Sequence, residues 1–209
     1  MIKLTVRWMN RFAEIEFPCT DTELQQKLTE VRPTDTSPDE IFVQAVHQPT
    51  MLSMLEDQFL NMDEVNFLAK RMDSFTYDEL LQFYAAAQYE QLQSPKDLIN
   101  LTYNLDCYEL IPEVTTYEEY GRYLAESQRD FQLPAQAAMY FDYASYGEDS
   151  AINEGGELTP QGYIYNNRSD FRDVYDGKNV PEEYRVFKYP MQMRAKQSKQ
   201  PKPPKPPQR

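Results

Sequence analysis

Histidine, cysteine and tryptophan are almost absent from this chain, which holds one His, two Cys and one Trp among 209 residues. With only His47, Cys19 and Cys107 available, no His/Cys zinc site and no Cys–His nucleophile pair can form at an ordinary spacing, and no cofactor is expected. The two cysteines lie far apart, and Met1–Trp8 carries charges where a signal peptide would be apolar, so both are read as free thiols in a reducing cytoplasm. No uncharged apolar run approaches the roughly 20 residues of a membrane span. Positive charge is also short: 21 Lys and Arg face 34 Asp and Glu, a net charge of −13. That sign excludes bare nucleic acid and an anionic membrane as partners and favours a neutral or basic one.

What is plentiful is aromatic and acidic. Eleven Phe and 16 Tyr supply enough large side chains for a folded core. The charge is uneven along the chain. Residues 194–209 hold six basic residues, no acid and five prolines, a composition that predicts an extended, disordered, polyproline-like tail. The body is correspondingly more acidic, with 28 acids against 8 bases in residues 39–183, a local net of −20.

Alternation of Ile2, Leu4, Val6 and Trp8 with Lys3, Thr5 and Arg7 predicts a half-buried strand, and Phe12–Phe17 a second. Thr20 and Glu23 form a capping box that opens a helix to about Val31, ended by Pro33, and Ile41–Val46 returns as a strand. Three short helices follow, signed by Asn61 with Glu64, Thr76 with Glu79, and Ser94-Pro95 with Asp97. Val65, Leu68, Ala69 and Met72 form the apolar stripe of the first, and Leu80, Leu81 and Tyr84 that of the second. Cys107–Ile111 reads as a strand. Thr116 and Glu119 open a helix carrying Tyr120 and Tyr123, and a helix from Ala135 to about Tyr146 is expected to end at Gly147. Further on, Tyr163–Tyr165 reads as a strand, Asp176-Gly177 as a hairpin turn and Tyr184–Tyr189 as a last strand. The predicted class is α+β, an elongated row of small domains. These are an α/β module (1–58), a central helical domain (59–105), a C-terminal α+β domain (106–190) and the tail (191–209).

Asp63, Glu64, Asp78, Glu79, Asp97, Glu118 and Glu119 stand in first turns of predicted helices, where the helix dipole favours a carboxylate whatever its function. Removing these seven still leaves 21 acids against 8 bases in residues 39–183, which capping does not explain. The candidate surface for a basic partner therefore includes them together with Asp73, Glu90, Asp106, Glu109, Glu126, Asp142, Glu148 and Asp149. A carboxylate-based glycoside hydrolase is the competing enzyme reading, but acids crowded on exposed helices lack the apolar pocket that raises a catalytic pKa. An EF-hand at Asp142–Glu154 fails, because Ala144 and Tyr146 occupy its third and fifth positions.

Three blocks resemble the ArdA antirestriction family: Asn61–Ala69, Ser94–Asn104 and Tyr140–Asp149, the last (Tyr-Phe-Asp-Tyr-Ala-Ser-Tyr-Gly-Glu-Asp) being the most specific. The resemblance covers about residues 40–155. It implies an acidic, elongated homodimer that imitates bent duplex DNA and occupies the DNA groove of type I restriction-modification enzymes. Doubled in a dimer, a body of −20 matches the phosphates of roughly 20 base pairs, since duplex DNA carries about one charge per 1.7 Å. An acidic binder of another basic DNA-binding protein is the alternative. Residues 156–193, the basic tail and Glu148 depart from the family pattern.

Overall fold

A computed structural model describes residues 1–31, 41–127 and 133–187. The fold is α+β, with antiparallel sheets and helices both present. The first sheet has the order β2-β1-β3-β4 and is built from β1 (Ile2–Trp8), β2 (Arg11–Phe17), β3 (Ile41–Gln48) and β4 (Gln58–Leu60). Period-two alternation makes it one-sided: Ile2, Leu4, Val6, Ala13, Ile15 and Phe17 are buried, while Arg7, Phe12, Glu14 and Glu16 are exposed. Helix α1 (Asp21–Val31) opens on the Thr20–Glu23 box and places Leu24 and Val31 in the same core.

The central helices are α2 (Met62–Asp73), α3 (Tyr77–Tyr89) and α4 (Pro95–Leu101), each starting at the cap read from sequence. The Asn61 side chain accepts from the Asp63 amide, Thr76 and Glu79 cap each other reciprocally, and Ser94 accepts from the Asp97 amide. Val65, Leu68, Ala69 and Met72 are all buried. In α3 the expected stripe is corrected: Phe83, Ala85, Ala86 and Ala87 are buried, whereas Leu80, Leu81 and Tyr84 are only half-buried. The small alanines let α3 approach its neighbours closely, which puts the larger side chains at the margin.

The second sheet has the order β5-β7-β6, from β5 (Tyr108–Pro112), β6 (Glu157–Thr159) and β7 (Gly162–Asn166). Helices α5 (Tyr117–Ser127) and α7 (Tyr143–Glu154) share a core with it, and the short α6 (Ala135–Ala138) lies between them in the chain. The single helix expected to end at Gly147 is thus two helices, and Gly147 sits inside the second. A Cβ on Gly147 would stand 2.0 Å from the Tyr117 carbonyl oxygen, and one on Gly121 would stand 2.0 Å from that of Tyr143. The two glycines let α5 and α7 cross backbone to backbone. Gly155, in the left-handed conformation, ends α7 instead. Tyr120 is buried in this region, but Tyr117 and Tyr123 are exposed.

Buried side chains from β1–β4, α1–α4 and the segment up to Phe187 form one continuous core, and Val114, Tyr120, Ala151 and Tyr163 form a second. Residues 167–187 run as an irregular strap over α2 and α4. Neither the Asp176-Gly177 hairpin nor a strand from Tyr184 exists among the described residues: a bend occupies the first and a 3-10 turn (Glu182–Tyr184) begins the second. Buried amide side chains take the place of a sheet partner. Asn100 accepts from the amides of Val174 and Tyr175 and donates to the Tyr175 carbonyl, and Asn104 pairs in the same way with Arg172. The Asn66 amide donates to the Tyr184 carbonyl. The end of α1 at Pro33, residues 188–189 of the expected last strand and the tail lie outside the described residues. Among those described, no helix is long and apolar enough to cross a membrane.

Candidate functional site

The fifteen acids read from the sequence separate into three structural groups. Glu79, Asp97, Glu119 and Asp142 are exposed and tied to helix starts. The Thr76 amide donates to Glu79 at 2.7 Å, the amides of Thr115 and Thr116 to Glu119 at 2.8 and 3.0 Å, and the Ser145 amide to Asp142 at 3.0 Å. These amide donors, helped by the threonine and serine hydroxyls, hold all three carboxyls below their usual range. Asp97 instead receives the Ser94 hydroxyl at 2.6 Å.

Two acids turn inward. Asp63 is 7% exposed, and its Oδ1 accepts the amides of Val186 at 2.7 Å and Phe187 at 3.0 Å, so it anchors the end of the strap. Glu64 is half-buried and accepts the Tyr175 hydroxyl at 2.9 Å; burial pushes its carboxyl up, and the phenol bond partly offsets this.

The remaining nine face solvent. Asp73 meets the Met1 amino group, Glu118 meets Arg122, and Asp106 meets Arg172. Glu90 receives the Tyr108 hydroxyl, and Glu109 lies 3.5 Å from the Asn167 amide. Asp78, Glu126, Glu148 and Asp149 are exposed with no hydrogen bond or ion pair among the described residues. Exposed acids of residues 39–183 that are not among those fifteen stand at Asp57, Glu113, Glu157, Asp170, Asp173, Asp176, Glu182 and Glu183. The acid count of residues 39–183 already contained them, and only their lack of a motif left them out.

Arg122 and Arg172 pair with Glu118 and Asp106, but other cations nearby serve the backbone. Lys70 donates to the Glu183 carbonyl, Arg71 to the Thr102 carbonyl with its guanidinium 4.0 Å over the Tyr103 ring, and Arg185 to the Val180 carbonyl. Lys70, Arg71 and Arg185 hold backbone in place and make no ion pair with a described carboxylate. The result is a surface rich in exposed acids on α3, α5, α7 and the strap, a field able to attract a large basic surface.

The clefts do not add a reactive constellation. An open cleft of about 640 Å³ lies between α5 and α6–α7, lined by Glu118, Arg122, Met139, Phe141, Asp142 and Tyr143, with Arg122 paired to Glu118 and 4.4 Å over the Tyr143 ring. Glu154 accepts both the Tyr120 and the Tyr163 hydroxyls at 2.7 and 2.8 Å beneath their stacked rings, which makes it a prop of the second core. Burial raises the Glu64 carboxyl, but that group is tied to the Tyr175 hydroxyl. Burial pushes the Cys19 thiol up to about 12, so it packs as a neutral side chain.

No curated protein matches the chain. Residues 13–165 match the family described as antirestriction protein (ArdA), a span that takes in every α-helix, β3 to β6 and most of β2 and β7, while β1 (Ile2–Trp8) lies before it. Covering well over half of the sequence, the match shows that the chain belongs to the ArdA family of antirestriction proteins, whose function implies a restriction-modification protein as its target.

Proposed function

We propose that this antirestriction protein is a DNA mimic: its exposed carboxylates occupy the DNA-binding groove of a type I restriction-modification enzyme in the cytoplasm, without binding nucleic acid or catalysing a reaction. The observation that carries the reading is the only partly compensated acid surface, in which Asp78, Glu126, Glu148 and Asp149 are bare while Lys70, Arg71 and Arg185 serve carbonyl groups. The acting species is a homodimer. Met139, Tyr140 and Ile152, at 77%, 87% and 71% exposure beside α7, support a contact in the C-terminal region (106–190), and doubling the acidic length suits a long DNA groove.

Attraction of this kind is spread over many charges and screened by salt. Changing Asp78, Asp97, Glu109 or Glu126 singly to Ala is therefore expected to weaken inhibition only a few-fold. Reversing Asp78, Glu126, Glu148 and Asp149 together to Lys is expected to abolish it while circular dichroism still reports intact helices. Loss of inhibition from one of the single changes in a folded protein would contradict mimicry. Full inhibition by the fourfold variant would do the same, and capture of a basic DNA-binding protein without inhibition of a type I enzyme would favour the alternative partner.

A further inference from the structure

The open face of the first sheet carries a row of side chains that the acidic surface does not use. The register pairs Phe12 with Arg7, Arg7 with Phe42, and Phe42 with Phe59, so these four side chains form one rung across β2, β1, β3 and β4. Phe42 and Phe59 meet edge to face at 5.2 Å, and the Arg7 guanidinium lies 4.6 Å over the Phe42 ring. Phe12 and Phe59 remain 57% and 63% exposed, and Met9 in the adjoining hairpin turn 81%. Clustered rings facing water on a sheet whose other face already forms the core mark a surface meant to be covered.

We propose that this row is the seat of the chain's own segment 199–207, Lys-Gln-Pro-Lys-Pro-Pro-Lys-Pro-Pro. The sequence of the segment repeats with a period of three. Lys199, Lys202 and Lys205 recur every third residue, as do Pro201, Pro204 and Pro207. A polyproline II helix has three residues per turn and rises about 3.1 Å per residue, so lysines line one edge and prolines another, each repeating about every 9.3 Å. Phe12 and Phe42 stand two strands apart, about 9.6 Å at the usual strand spacing. Successive ridge prolines thus fall on Phe12 and on the Phe42–Phe59 pair, with Arg7 dividing the two positions. Aromatic surfaces recognise proline-rich segments in this manner because the ligand is stiff before it binds.

The path of the chain and its charge agree with that occupant. The amides of Val186 and Phe187 are fixed to Asp63, three residues past the end of β4 at Leu60. From there, residues 188–198 can reach as far as about 36 Å, whereas the rung spans only about 14 Å. Glu14 and Glu16, beside the row on β2, meet the Lys3 ammonium at 3.1 and 3.4 Å, and Glu14 also lies near Lys27 and His47, which leaves an oxygen of Glu16 for the lysine edge. On the mimic reading given above, such docking also keeps the chain's own cations off the carboxylates of α3, α5 and α7.

The test uses the full chain, isotopically labelled, beside a variant with Pro203, Pro204, Pro206 and Pro207 all changed to Ala, which keeps every charge. Amide shift differences are expected at Arg7, Phe12, Phe42 and Phe59, persisting at high salt and unchanged on about tenfold dilution, as an intramolecular contact requires. A Phe12→Ser, Phe59→Ser variant with preserved amide dispersion is expected to shift the amides of residues 199–209 in return. Three results would overturn the proposal: no difference at the row, differences that vanish on dilution and so report a second copy, or differences spread over α3, α5 and α7 that vanish with salt. Inhibition of restriction by the proline variant is a separate readout, so the mimic reading survives any of these outcomes.

Discussion

Asp63 and Asp78 look alike in the sequence, each an acid in the first turn of a helix, yet one is interior and the other bare to solvent. Asp63→Ala removes the acceptor of two buried amides and is expected to cost about 2–4 kcal/mol in urea unfolding, with Asp78→Ala within about 0.5 kcal/mol of the parent. Equal midpoints for the two variants would contradict the anchoring role. Glu64 gives a pH signature of opposite sign to the capping acids. Its carboxyl is raised in the folded state, so the fold binds that proton more tightly than the unfolded chain does and loses stability as pH climbs from the ordinary 4.5 through the raised value. Glu64→Gln keeps an oxygen for Tyr175 and is expected to gain on the parent through that window, with no difference below it. Glu79, Glu119 and Asp142 are lowered, so their contribution is full at neutral pH and lost as pH falls through those lowered values. Urea midpoints of Glu64→Gln and the parent across acidic to neutral pH check this, and a constant offset would refute it.

The helix starts were legible because each capping signal is complete within four residues: Asn61, Thr76 and Ser94 cap as read. Elements that depend on distant partners were not. Gly147 was read as a helix end because glycine serves both at helix ends and at close crossings, and its partner Gly121 stands 26 residues away in another helix. Gly121→Ala is expected to push α5 off α7 and cost about 3 kcal/mol, whereas Gly155→Ala strains only a left-handed end and costs about 1 kcal/mol. Thermal unfolding of the two variants measures the contrast, and a Gly121→Ala midpoint at or above that of Gly155→Ala would contradict the crossing. The strap was illegible for the same reason, since its backbone partners are Asn66, Asn100 and Asn104, 68 to 118 residues away. Asn66 and Asn100, poor helix formers inside α2 and α4, were the available sign of it.

At the scale of the molecule, net charge and its concentration in residues 39–183 were read correctly because composition needs no geometry. Whether those acids are neutralised could not be read, since a lysine four residues from an acid serves a carboxylate or a carbonyl with equal ease in sequence. Lys70, Arg71 and Arg185 serve carbonyls whereas Arg122 and Arg172 pair with Glu118 and Asp106, so the excess of acids stays at the surface only partly compensated. The central claim is that this surface and DNA compete for one groove. The most direct measurement is the fluorescence anisotropy of a labelled duplex bound to a type I restriction-modification enzyme while this protein is titrated in, repeated at rising salt. Full displacement of the duplex is expected, with no complex containing both ligands and with an affinity for the enzyme that falls steadily as salt rises. Inhibition of restriction with the duplex still bound would contradict it.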